Sequence, residues 1–142
     1  MRSIRKNYKL ENLRCYIQNF NYPDVIAITE SWLTKSETEY YNITNYNAVH
    51  ETRDTRGGGV ILYIKNNLNY ELEYSEINNL DKCESCMVYL NEYKLHIINI
   101  YRAPKNNLLE FTRKLNQTLS KYPNAIIVGD INLNIKNKLK KM

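Results

Sequence analysis

No stretch of this sequence is long and apolar enough to span a bilayer. The opening residues, Met1 to Lys9, are basic and polar and contain no apolar h-region. No signal peptide is expected, and the protein is expected to be made and kept inside the cell. There are three cysteines, Cys15, Cys83 and Cys86, an odd number at sparse spacing, which makes a poor disulfide framework. Cys83 and Cys86 form a C-x-x-C, but a structural zinc site takes about four ligands, and neither a second C-x-x-C nor a nearby histidine pair exists. A redox pair belongs at a strand-to-helix turn, whereas this one opens the strand-like run Ser85 to Leu90. Ordinary reduced thiols are the favoured reading. Internal repeats and linkers are also absent, and 142 residues suit one domain with a real core.

Hydrophobic residues make up 43% and charged residues 25%, which places the chain with globular proteins and not with disordered ones. The net charge is +5, a balance that favours polyanionic partners through counterion release. The lysine-rich end, Lys136 to Lys141, reads as a solvated tail or a truncation artefact before it reads as a nuclear-localisation signal. The richness in Asn, Lys, Ile and Tyr looks like the codon bias of an AT-rich genome.

Leu10, Leu13, Ile17 and Phe20 share one face at helical spacing and predict a helix from about Tyr8 to Phe20, with Asn7 as its N-cap. Pro23 forces the exit. Val25 to Ile28 is a short continuous apolar run, which fits a strand buried on both faces. Further strands are expected at Tyr46–His50, Val60–Lys65, Tyr70–Tyr74, Ser85–Leu90 and Leu95–Tyr101, the last two forming a hairpin about Asn91 and Glu92. Gly57, Gly58 and Gly59 punctuate the entry to the Val60 strand. A second helix is predicted from about Leu108 to Lys121, opened by an Asn107/Glu110 capping box, with Leu108, Phe111, Leu115 and Leu119 as its buried stripe. Pro123 stops it, and Ala125–Val128 forms a second buried strand. The alternation predicts an α/β sandwich layer of mostly antiparallel strands.

Two short apolar strands each end in a carboxylate, in Ile28-Thr29-Glu30 and Val128-Gly129-Asp130. A strand end is rigid and the loop beyond it is open, a good place to hold a catalytic acid. Strands also stop at charges merely because charge must reach water, so either carboxylate alone decides nothing. The words around them decide more. Ile28-Thr29-Glu30-Ser31-Trp32-Leu33, the block Arg53-Asp54-x-Arg56-Gly57-Gly58-Gly59-Val60 followed by Leu62-Tyr63-Ile64-Lys65, Asn99-Ile100-Tyr101-Arg102-x-Pro104, and Gly129-Asp130-Ile131-Asn132 occur in this order. Together they resemble the N-terminal part of the metal-dependent endonuclease domain of non-LTR (LINE-type) retrotransposons, in the endonuclease/exonuclease/phosphatase superfamily. Met1 to Asn7 resembles the tail of that domain's opening block, and Ala103 stands where the family has a first proline.

The resemblance implies a partial, DNase I-like α/β sandwich over residues 1–142: mostly one mixed sheet flanked by two helices, with the second half missing. It implies that Glu30 binds Mg2+ (or Mn2+), that Asp130 orients or deprotonates the attacking water, that Asn132 hydrogen-bonds the scissile phosphate, and that Tyr101 lies near that phosphate. Arg102, Arg53 and Arg56 become candidates for substrate binding, although the last two serve equally as solubilising charges. DNA is the implied partner, no membrane is involved, and the nucleus is the compartment the family suggests. His50 and His96 match no catalytic position. Trp32 and the tyrosines are read mainly as packing and surface. The family's opening Asn and its closing Asp-His pair have no counterpart in these residues, so impaired activity is expected. The absent part is also expected to supply the second sheet, which would leave an apolar face open to self-association.

Overall fold

A computed structural model of the chain describes residues 3–53, 55 and 57–133. Arg56 and the lysine-rich end, both singled out above, lie outside the described residues. The first helix, α1 (Asn7–Asn19), begins one residue early: Lys6 occupies the capping position, with no side-chain cap. Leu10, Leu13 and Ile17 pack inward as expected. Phe20 does not. It is the C-cap residue, 70% exposed and stacked on Tyr16, because the chain turns away through left-handed Asn21 and Tyr22 before Phe20 can face the core.

Seven strands follow among the described residues: β1 (Val25–Thr29), β2 (Tyr46–Glu51), β3 (Val60–Lys65), β4 (Tyr70–Glu73), β5 (Cys83–Leu90), β6 (Leu95–Arg102) and β7 (Ala125–Asp130). Two 3-10 segments, Lys35–Tyr41 and Glu76–Asn79, went unforeseen in the sequence. Helix α2 (Leu108–Lys121) precedes β7, and Asn107 caps it by accepting from the N–H groups of Leu109 and Glu110. Its buried stripe is rotated from the expected one: Phe111 and Thr118 are buried, while Leu108 and Leu109 face solvent.

The α/β sandwich expected from the sequence is what the structure shows, but its strands divide between two sheets where mostly one was expected. The first has the order β1-β3-β2, all antiparallel. The second has the order β4-β5-β6-β7, antiparallel except for the parallel pair β6/β7. Strand alternation explains the division. On β3, Ile61 and Tyr63 pack beneath α1, while Val60, Leu62 and Ile64 meet Cys86, Val88 and Leu90 of β5. The opposite face of the second sheet, with Met87, Ile98 and Ile100, meets Phe111 of α2. A strand that is apolar on both faces needs a cover on each, and here the two sheets cover one another between two helical layers. Cys83 and Cys86 fall on opposite faces of β5, so the C-x-x-C cannot close on a single ligand.

The two apolar strands thought to be buried on both faces are edge strands among the described residues. Ala27 of β1 is exposed, and Ile126 of β7 is 49% exposed on the inner face of its sheet, beyond the reach of the first sheet. No helix among the described residues is long and apolar enough to cross a membrane.

Candidate active site

The C-terminal ends of β1, β6 and β7 meet at one end of the sandwich. Asn99 fixes their relation. It is fully buried, and its amide donates at 2.9 Å to the carbonyls of both Ile28 and Ile61, tying β6 of one sheet to β1 and β3 of the other. Two residues further on, Tyr101 lies on the same face of β6, 5% exposed, and donates its hydroxyl to Glu30 Oε1 at 2.9 Å. Asp130 is the register partner of Tyr101 across the parallel pair, so the two side chains leave the sheet on the same face. Glu30, Tyr101 and Asp130, far apart in sequence, therefore gather at one edge.

Left-handed backbone occurs at Glu30 and close by in the loops after β1 and β7, as it does at several turns elsewhere. Glu30, Trp32 and Asn132 have φ of 53°, 60° and 49°, in the left-handed region that L side chains adopt at a cost, and such residues cluster where function demands them. Between Glu30 and its neighbours the glycine loop supplies hydrogen bonds: Ser31 N–H donates to Gly59 O at 3.1 Å and Trp32 N–H to Gly58 O at 3.0 Å. Ser3 and Ile4 pair with the carbonyls of Glu30 and Ser31 on the other side.

Asn132 is also fixed. Its backbone N–H donates to Asp130 Oδ1 at 3.1 Å, and its amide donates to Arg102 O at 2.8 Å, leaving the amide's second N–H to point elsewhere. Gly129 carries φ 129°, and a Cβ there would lie 2.0 Å from Ile100 O, so only glycine lets β7 approach β6 just before Asp130. An open hollow of about 540 Å³ is lined by Gly129, Asp130, Ile131, Asn132 and Leu133. A hollow of about 390 Å³ over α2, lined by Glu73, Glu76, Lys114 and Tyr122 among others, shares no residue with it.

The arginines behave differently from expectation. Arg102 is 3% exposed, and its guanidinium donates to four backbone carbonyls, those of Ile131, Asn132, Ala103 and Asn106, while lying over the Phe111 ring. Such a group clamps the 131–132 loop and has little left for substrate. Arg53 donates Nε to Gly57 O at 2.7 Å, faces Glu84 at 3.2 Å, and lies 5.8 Å over the Tyr101 ring. Burial, reinforced by the acceptor Glu30, pushes the Tyr101 hydroxyl up to about 12, so it stays a proton donor at neutral pH.

Sequence reasoning missed Glu84 and the bridging role of Asn99. Both carried a legible signal, a polar residue among mainly apolar residues at alternate positions of its strand, Cys86, Val88 and Leu90 beside Glu84 and Leu95, Ile97 and Tyr101 beside Asn99. Of the histidines, His96 packs between Tyr89 and Tyr122, and half-buried His50 lies on β2. Neither sits among the candidate residues.

A family model described as Endonuclease/Exonuclease/phosphatase family matches residues 2–135. No curated protein sequence matches the chain. Among solved structures it is similar to a humanized TDP2 of D. rerio, with TM-score 0.63 and 18% identity over 96% of this chain and 65% of that one. It is similar to the AP endonuclease of Archaeoglobus fulgidus, with TM-score 0.65 and 19% identity over 97% and 60%. It is also similar to the 3' phosphatase NExo of Neisseria bound to a product DNA hairpin, with TM-score 0.67 and 11% identity over 93% and 56%. The chain spans less than two thirds of the length of each.

Proposed function

The chain belongs to the endonuclease/exonuclease/phosphatase family, and on that premise we propose that residues 1–142 are the N-terminal part of a divalent-metal-dependent DNA endonuclease domain of the non-LTR retrotransposon type. The observation that carries the reading is the convergence of Glu30, Tyr101 and Asp130 at strand ends drawn from both sheets. Magnesium is commonly held by one or two carboxylates, with water and substrate phosphate completing its shell. Among the described residues no group of three or more Asp, Glu, His or Cys gathers. The donor set therefore fits that one-carboxylate mode, with Glu30 as the holder, and not an all-protein cage. When bound there, the ion would offset negative charge on the phosphate and leaving oxygen.

The chain's own residues supply the rest. Asp130 takes a proton from water as its oxygen attacks phosphorus and the opposite P–O bond breaks. Asn132 donates an amide N–H to the phosphate, and Tyr101, kept protonated, gives its one O–H to Glu30 and orients that carboxylate. Arg102 holds the loop that carries Asn132, and Arg53 braces Tyr101. The resemblance calls for a closing Asp-His pair that these residues do not include, and groups of that kind are each worth about 10² to 10⁴ in rate. Nicking of supercoiled plasmid in magnesium by the 142-residue chain is therefore expected near background. A longer protein carrying the opening Asn and the closing pair is expected to nick, and Glu30→Ala or Asp130→Ala to abolish it. Nicking by such a protein that is indifferent to both substitutions would sink the assignment.

The structural neighbours, a 3' phosphatase among them, favour a second reading, in which the same groups trim DNA ends. Comparing 3'-phosphorylated oligonucleotides with closed circles as substrates separates the two. A non-catalytic, basic nucleic-acid-binding remnant would bind DNA in a salt-sensitive way and never cut in any form.

A further inference from the structure

Glu84 is a charged side chain only 4% exposed, in the mainly apolar run of β5. It is the register partner of Tyr101, so it faces the layer between the sheets beside that ring. A carboxylate in such a place is costly unless its oxygens are met. Both are: Oε2 accepts Gly59 N–H at 3.1 Å, and Oε1 lies 3.2 Å from Arg53 Nε.

We infer that Glu84 is a positioning residue for the candidate metal carboxylate Glu30, acting through two separate routes; this rests on the reading of Glu30 as a metal ligand. The first route is main chain. Glu84 holds Gly59, and the Gly58 and Gly59 carbonyls hold the N–H groups of Trp32 and Ser31, which keep the segment after Glu30 in its strained, left-handed course. The second is side chain. Glu84 holds Arg53, Arg53 lies over the Tyr101 ring, and the Tyr101 hydroxyl donates to Glu30 Oε1. The fit around Arg53 is close: a Cβ on Gly58 would lie 2.1 Å from its guanidinium. Burial pushes the Glu84 carboxyl up, and the Gly59 N–H and the Arg53 guanidinium pull it back down.

A buried ion pair of this kind contributes little to stability by comparison with apolar packing, but it does fix the position of what it touches. Partners hydrogen-bonded to a metal ligand typically change metal affinity by roughly 10- to 100-fold when removed, and Glu84 supports such a partner, Tyr101, through Arg53. The test titrates Mn2+ into the 142-residue chain, reading bound ion by water proton relaxation and folding by thermal melt on the same samples. Glu30→Ala is expected to lose specific binding. Glu84→Ala is expected to weaken it at least about tenfold at a temperature where the protein remains folded. Glu84→Gln, which still accepts from Gly59 but no longer pairs with Arg53, is expected to fall between. If Glu84→Ala does not fold, Glu84→Gln decides. Wild-type Mn2+ affinity in a folded Glu84 variant, with Glu30→Ala defective, overturns the positioning role and leaves the metal reading standing. Unchanged binding in Glu30→Ala overturns the metal reading itself.

Discussion

The three thiols divide by accessibility. Cys15 is exposed, whereas Cys83 and Cys86 are buried on opposite faces of one strand. Burial pushes the Cys83 thiol up to about 11, and the Cys86 thiol also rises, while its Sγ lies 3.4 Å from Val49 O. An alkylating reagent should therefore label one thiol per native chain and three after denaturation, read by intact mass. Rapid native labelling of Cys86 would contradict the sandwich. His50 makes a different kind of statement. Its Nδ1 is buried without a hydrogen-bond partner, and burial pushes its pKa below the ordinary 6.5. The unfolded chain then takes up a proton near pH 6.5 while the folded one does not, so more protons are bound on unfolding and acid favours it. Stability should fall as pH drops from about 6.5 toward the lowered folded value. In urea melts at pH 7 and pH 5, His50→Phe should lose part of that difference. The candidate residues were nominated by ordered words in the string. The fate of the arginines was not legible there, since nothing in a linear string says that Arg102 will meet four carbonyls.

At the level of elements, periodicity located both helices and every strand to within a few residues. It failed where the chain's path and not its local pattern decides. Phe20 fits the helical stripe, yet the left-handed turn at Asn21 and Tyr22 removes it from the core. The continuous apolar runs of β1 and β7 say that two covers are wanted, but they do not say whether both covers are at hand. The 3-10 segment Lys35–Tyr41 is opened by a local Thr34/Glu37 capping box that the sequence reading passed over, Glu37 accepting from Thr34 N–H at 2.8 Å, and one contact from elsewhere joins it, Arg5 reaching Glu37 at 3.0 Å. No window-based reading contains the Arg5 contact. The close approach of β6 and β7 is more readily tested. Gly129→Ala introduces a Cβ against Ile100 O at an unfavourable φ and should cost about 1–3 kcal/mol in urea unfolding. A neutral result would mean that the strands meet differently there.

On the scale of the molecule, the open edges of β1 and β7 lie on one flank, and the chain spans 56–65% of the lengths of the neighbours described. An uncharged apolar edge strand is a template for pairing with another chain. We expect association of the isolated chain in sedimentation experiments. Ile126→Lys, a charge at the exposed position of β7, should shift it toward monomer without lowering the melt. A wild-type chain that is already monomeric would show that the flank is protected in some other way.

Glu30 follows a strand of one sheet, and Tyr101 and Asp130 ride on the other, so the placement of these groups relative to one another depends on how freely the two sheets can shear. The paired hydrogen bonds of Asn99 act as a rivet one strand repeat behind those groups, and sliding in either direction would break both within a dry interior. The relative placement of these groups is thus set at folding. A ligand entering there would meet the groups at a separation the frame has already set, and any adaptation would fall to the loops at the rim.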